Sequence, residues 1–227
     1  MEDIKPHDSK SKRIKQFLST CFHETFQVPL YLIVHPIRGW EEFKHEKIAK
    51  NGVSLFYLVM MLLAVIIHTT AKGFIVGGTD IKHFSLLKTI LTILLPVFIG
   101  TIANWCVGSL FDGKGKMPEI FRVINYSFFP YVWLSILATI VSNFIGADEI
   151  MYYTVLMSVG TGLTIWMMFF GIMGIHENSF GMNIVNIVFT ILVIAIIIFA
   201  ILLFFSFVER ILGWLYAIYS EIRMRYF

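Results

Sequence analysis

Two short strings in this sequence contain residue types that bind phosphate or carry catalysis in other proteins. The string DGKGK at residues 112–116 offers glycine and lysine, but it lacks the GxxxxGK[ST] spacing of a phosphate loop. His176 and Glu177 open like the zinc motif HExxH, but position 180 is Phe180 rather than histidine. Cysteine and histidine show no metal-ligand spacing, and we find no nucleophile motif. We therefore expect no enzyme and no cofactor or metal site.

The apolar blocks of the chain set where its polar residues can lie. Of the 227 residues, 57% are hydrophobic and 15% are charged, whereas a soluble domain has about 25% charged residues. A helix needs about 20 apolar residues to cross a bilayer. Blocks of this kind occupy residues 53–71, 89–111, 124–146, 151–175 and 182–208. The sequence predicts an all-α polytopic membrane protein with five transmembrane helices.

Amphipathic stretches flank the predicted spans on both sides. Within residues 14–22 apolar side chains recur at helical spacing opposite a basic face, which is typical of a helix in the headgroup region. The alternative is a helix packed on the protein. The residues predicted to bind the membrane surface are Lys12, Arg13, Lys15, Phe17 and Phe22. Residues 38–50 are also helix-like, with Trp40 as a predicted interface anchor.

These patterns divide the chain into three parts. Residues 1–50 form a cytoplasmic N-terminal segment with amphipathic helices, residues 51–208 form the five-span domain, and residues 209–227 form a C-terminal amphipathic helix. With the N-terminus inside, 12 of the 18 Lys and Arg face the cytoplasm and 6 face the other side. The positive-inside rule therefore predicts a cytoplasmic N-terminus and a C-terminus across the membrane.

The predicted spans contain no Asp, Glu, Lys or Arg, and His68 near the end of the first is expected at the wet interface. This composition argues against a proton- or sodium-coupled transporter, because such pathways use charged groups within the membrane. We expect Asn104 to form a hydrogen bond between helices, the alternative being contact with a ligand. Ser158 and Gly162 form a small-xxx-small pair, for which we expect an internal packing face rather than a dimer face.

Three segments together resemble one known family, the Yip-domain membrane proteins, in its bacterial branch. They are HPIRGWEEFKHEK (residues 35–47), ANWCVGSLFDGKGKMPEIF (103–121) and INYSFFPYV (124–132). The first supplies His35, Pro36 and Trp40. The candidate structural or interaction motif carried by the other two comprises Asn104, Trp105, Asp112, Gly113, Gly115, Tyr126, Pro130 and Tyr131.

The resemblance implies five spans and a cytosolic N-terminus, in agreement with the charge distribution. Eukaryotic members are linked to Rab-type GTPase binding, but the N-terminal domain and DLYGP-like segment of those members are not found in this sequence. We therefore do not expect GTPase binding. We expect a non-catalytic protein of the bacterial cell membrane that organises lipid or partner proteins, its partners being membrane lipids and an unknown membrane protein, not nucleic acid. The alternative function is a transporter accessory subunit or a small-solute permease.

Overall fold

The apolar blocks form long helices in the computed structural model, which describes residues 23–45, 50–77 and 84–226. A π-helical turn, His23–Gln27, leads into the first α-helix. The α-helices are α1 (Val28–Val34), α2 (Arg38–His45), α3 (Asn51–Ala71), α4 (Leu86–Leu110), α5 (Met117–Ser127), α6 (Phe129–Ser142), α7 (Ile150–His176) and α8 (Phe180–Tyr226). The described residues contain no β-strand.

The prediction of an all-α protein with five helices able to cross a membrane is confirmed. The segments that are long and apolar enough are Asn51–Ala71, Leu86–Leu110, Met117–Ser142, Ala147–His176 and Phe180–Arg225. The third span begins seven residues before the predicted start at residue 124, because the amphipathic α5 continues directly into α6.

The third span lies at the centre of the bundle. Of its most apolar window 67% is buried, against 6% to 22% for the other spans. It consists of α5 and α6, which meet at Phe128. Pro130 stands at the start of α6, where its missing N–H costs least. Pro130 thus marks a break between two helices, whereas Pro96 lies inside the uninterrupted α4.

Helix α2 is built into the bundle. The Trp40 side chain is fully buried, and it fills a notch on α7 that two glycines leave open. A Cβ added at Gly174 would lie 2.7 Å from Trp40 Cβ, and one at Gly171 would lie 3.2 Å from the Trp40 ring. The prediction that Trp40 anchors at the lipid interface is therefore wrong, because protein atoms rather than headgroups surround its ring.

The prediction of internal packing at Ser158 and Gly162 is also wrong. Both residues are exposed on α7, and a Cβ added at Gly162 would meet nothing within 4 Å. The contact with α6 uses Gly160, where an added Cβ would lie 3.2 Å from Leu134 Cβ. Two residues along a helix turn it by about 200°, so Gly160 faces the bundle while Ser158 and Gly162 face outward.

The last helix, α8, is longer than the membrane is thick. Its 47 residues make it about 70 Å long, against about 30 Å of hydrocarbon. It packs mainly against α4. The predicted C-terminal amphipathic helix is helical to Tyr226 but continues the fifth span without a break. Residues 14–22 and the surface residues Lys12, Arg13, Lys15, Phe17 and Phe22 lie outside the described residues.

Candidate functional site

The polar residues of three spans converge on His176, the last residue of α7. Its side chain is buried, with 2% of the residue exposed. Its Nε2 lies 3.0 Å from Asn104 Oδ1 on α4. Because an amide oxygen can only accept a hydrogen bond, Nε2 carries the proton and donates it. The contact joins the fourth span to the second.

Asn104 extends this contact to the fifth span. Its Nδ2 donates to Asn186 Oδ1 at 2.8 Å and to Thr190 Oγ1 at 3.1 Å, both on α8. Thr190 in turn donates to the backbone oxygen of Asn186 at 2.7 Å. The expected hydrogen bond between helices at Asn104 is thus present in the structure. We call His176, Asn104, Asn186 and Thr190 the His176 cluster.

Three glycines, at the end of α4 and in the turn that follows it, lie against the imidazole of His176. An added Cβ at Gly108 would lie 2.2 Å from the ring, one at Gly113 2.4 Å from Nδ1, and one at Gly115 2.8 Å from the ring. Asp112, with φ of 54°, is the turn residue in the left-handed region, and Gly113 is not among the residues with positive φ. Gly113 is therefore needed for space against the imidazole rather than for its backbone conformation.

Glu177 ties the outer side of this cluster to α2. Lys44 Nζ lies 2.8 Å from Glu177 Oε1, and Lys114 Nζ lies 2.6 Å from Oε2. Lys44 also donates to the backbone oxygen of Ile175 at 2.6 Å, which satisfies a carbonyl at the end of α7. Hydrogen bonds from Lys114 and then Lys44 lower the pKa of Glu177 to about 2.

The remaining motif residues lie elsewhere. Tyr126 is buried in the aromatic core, where its hydroxyl accepts from Lys50 N at 3.3 Å and its ring meets Phe43 edge to face. Pro130 is buried close by, Tyr131 is half-buried, and Trp105 is 43% exposed on the outside of α4. The structure therefore brings Asn104, Gly113 and Gly115 together at His176, with Asp112 on the exposed edge of the turn.

The position of His176 at the centre of this cluster was not predicted from the sequence. His176 was considered only as part of an incomplete HExxH motif, and Asn186 and Thr190 were not singled out. One signal was available: Asn183, Asn186 and Thr190 recur at spacings of three and four in an otherwise apolar helix, so they share one face. No sequence pattern links Lys44 to Glu177, which are brought together only by tertiary packing.

The chemistry of the His176 cluster is that of hydrogen bonds between helices. Within residues 23–45, 50–77 and 84–226, no group of three or more His, Cys, Asp or Glu is arranged to hold a metal ion. In the same residues, His176 Nδ1 and Asn186 Nδ2 are buried without a hydrogen-bond partner. That the protein is not an enzyme stays a prediction.

A second polar contact lies at the other end of the spans. His68 Nδ1 is 3.1 Å from Thr139 Oγ1, and His68 Nε2 is 3.2 Å from the hydroxyl of Tyr153. The Gly73 amide donates to Ser142 Oγ at 2.8 Å. His68 is half-buried among these helices, so it takes part in packing between the first, third and fourth spans.

Most of the chain matches a known protein family. The family model of the Yip1 domain matches residues 30–208, a range that contains α2, all of α3–α7 and the His176 cluster. No curated protein and no solved structure matches the chain. The match covers more than half of the sequence, and the chain belongs to the Yip1 domain family.

Proposed function

We propose that this protein, from the bacterial branch of the family, is a non-catalytic cell-membrane protein that organises lipid or partner proteins. The docking of α2 on the bundle is the observation that carries the proposal. Trp40 packs in the notch between two glycines of α7, and Lys44 donates a hydrogen bond to the end of the same helix. These two contacts fix α2, which follows the N-terminal region. The chain that follows the basic N-terminal region is thereby held against the end of α7.

The side of the membrane follows from the charges. Spans alternate in direction, so the starts of α3, α5 and α8 share one side with the ends of α4 and α7. Placing the N-terminus in the cytoplasm puts 12 of the 18 Lys and Arg on that side. The His176 cluster and its Glu177 ion pairs then lie at the cytoplasmic surface, and the end of α8 lies across the membrane.

The N-terminal region supplies the lipid contact in this proposal. Lys12, Arg13 and Lys15 precede or alternate with an apolar stripe that contains Phe17 and Phe22. Each basic residue near an anionic leaflet contributes about 1 kcal/mol, decaying over a Debye length of about 8 Å. Their sum, together with burial of the apolar stripe, favours an anionic membrane surface.

The alternative, a permease or transporter subunit, has less support. The buried polar side chains of the spans bond to one another or to backbone oxygens, and the large side chains of Trp40, Tyr57 and Tyr126 fill the centre of the bundle. A solute path would need polar groups facing a continuous water-filled space. Solute flux through reconstituted vesicles separates the two functions, since only the alternative predicts that the protein raises flux.

The direct test is capture of one vesicle by another. Full-length protein in neutral vesicles should bind added vesicles that contain phosphatidylglycerol, and it should bind added neutral vesicles much less. A lipid in a separate vesicle can reach the N-terminal region but not the interior of the bundle, so the assay reports on this surface alone.

A further inference from the structure

A lateral cavity of about 370 Å³ lies between the first, second and third spans. Its size is at the lower end of the range for ligand pockets. Its lining includes Asn51, Ser54, Phe98, Thr101, Met117 and Phe121. The Phe98 side chain is 47% exposed on the outside of α4. The cavity therefore opens sideways, toward the space that lipid occupies around a membrane protein.

The cavity runs inward from the membrane surface. Asn51 and Met117 are the first residues of α3 and α5, so they stand at the interfacial ends of their spans. Ser54 lies about 5 Å further along α3, and Phe98 lies about 18 Å from the end of α4 on the same side. This depth corresponds to the glycerol esters and upper acyl chain of a phospholipid.

One buried hydroxyl at the cavity, that of Ser54, is available as a hydrogen-bond donor. Ser54 is 1% exposed, and its Oγ accepts from Asn125 Nδ2 at 3.0 Å. Ser54 donates no hydrogen bond to any described residue, whereas Thr101 already donates to Val97 O at 2.7 Å. A buried donor without an acceptor is costly, and a carbonyl oxygen in the cavity would satisfy it.

Two lysines precede the helices that begin at the cavity mouth. Lys116 immediately precedes Met117, and it is exposed and forms no ion pair with any described residue. Lys50, which precedes Asn51, is instead paired with Glu24. An ammonium group that is unpaired among the described residues complements an anionic headgroup beside this apolar cavity.

We propose that this cavity binds one anionic glycerophospholipid from the surrounding membrane. Ser54 donates to an ester carbonyl, the acyl chain lies against Phe98 and Phe121, and Lys116 faces the phosphate. The site lies on the lipid-facing side of the bundle and is independent of the surface contact in the proposed function.

The test uses full-length protein in mild detergent, with native mass spectrometry after addition of phosphatidylglycerol or of phosphatidylcholine with the same acyl chains. We expect one retained lipid per protein and a preference for phosphatidylglycerol. Asn51→Trp places an indole in the exposed mouth and should abolish retention. Gly52→Trp is the matched control, since a Cβ at Gly52 meets nothing within 4 Å, and it should retain the lipid.

A second variant tests the effect of charge at the cavity mouth without filling the cavity or changing a transmembrane helix. Lys116→Gln should weaken phosphatidylglycerol binding about fivefold, the effect of one basic residue at an anionic surface, and leave phosphatidylcholine unchanged. Lys88→Gln, at the other end of α4, should change neither. Equal retention by Asn51→Trp and Gly52→Trp would overturn the site. Equal binding of both lipids to the unmodified protein, or no effect of Lys116→Gln, would overturn its anionic ligand.

Discussion

His176 Nε2 lies 3.0 Å from Asn104 Oδ1, so the end of the fourth span is hydrogen-bonded to the second span inside the bundle. Both side chains are at least 98% buried. In a membrane, hydrophobic burial gives little drive for helices to associate, and polar contacts and close packing take its place. This pair, with Asn186 and Thr190 behind it, therefore fixes the positions of α4, α7 and α8.

A double-mutant cycle measures that contact. Asn104→Leu and His176→Phe each leave a buried partner unsatisfied, so each should lower the free energy of unfolding by about 1–3 kcal/mol. Together they should cost less than the sum, by about 0.6–2 kcal/mol. Denaturation in mixed micelles gives the values, and strictly additive losses would show that the two side chains do not interact.

The glycine turn gives a prediction about space. Gly113→Ala adds a methyl group 2.4 Å from His176 Nδ1, and such overpacking costs about 1–3 kcal/mol. Gly162→Ala is the control, because it points into open space and alanine is the better helix former by about 1 kcal/mol. Thermal unfolding in detergent should show a lower Tm for Gly113→Ala only. The same Tm in both variants would refute the close fit of the turn on the imidazole.

Whether a structural feature can be predicted from this sequence depends on how far apart in the chain the interacting residues lie. The spans follow from continuous apolar blocks, and the bond made by Asn104 follows from the cost of an amide in hydrocarbon. The partners of Asn104 did not follow, because His176 and Asn186 are 72 and 82 residues away. Trp40 was misplaced for a similar reason, since its notch consists of glycines on a distant helix.

The ion pairs of Glu177 should make the stability of the protein depend on pH. Its pKa falls from 4.5 to about 2 because Lys114 and Lys44 donate to the carboxylate. A depressed native pKa adds stability that is complete above the unfolded value and is lost as pH falls through the native value. His45 Nε2 also lies 3.6 Å from Glu177 Oε1, so both proteins compared carry His45→Gln. The difference in Tm between Glu177 and Glu177→Gln in this background should be constant above about pH 5 and shrink between 4.5 and 2.

The control for this pH series is Glu209→Gln. Glu209 is exposed on α8 and forms no ion pair within the described part of the chain. Its replacement should leave Tm unchanged at every pH. A Glu177→Gln difference that stayed the same down to pH 2 would contradict the role assigned to the two lysines.

The proposed topology predicts which side of the membrane each terminus faces. Cys21 and Cys106 are first replaced by alanine, and single cysteines are then placed at Ser9 or Ser220. A membrane-impermeant maleimide should label position 220 in intact cells and position 9 only after the membrane is opened. Labelling of both positions from one side would mean an even number of crossings, and the long α8 would be the span to reassign.

Contact between the N-terminal region and anionic lipid can be measured by vesicle capture with full-length protein. We expect capture of phosphatidylglycerol vesicles that declines as salt rises, because the Debye length falls from about 10 Å at 0.1 M to 3 Å at 1 M. Replacing Lys12, Arg13 and Lys15 by glutamine should abolish most capture. Replacing Arg223 and Arg225 at the other end should not. Capture that is insensitive to salt, or equal in both variants, would contradict the account.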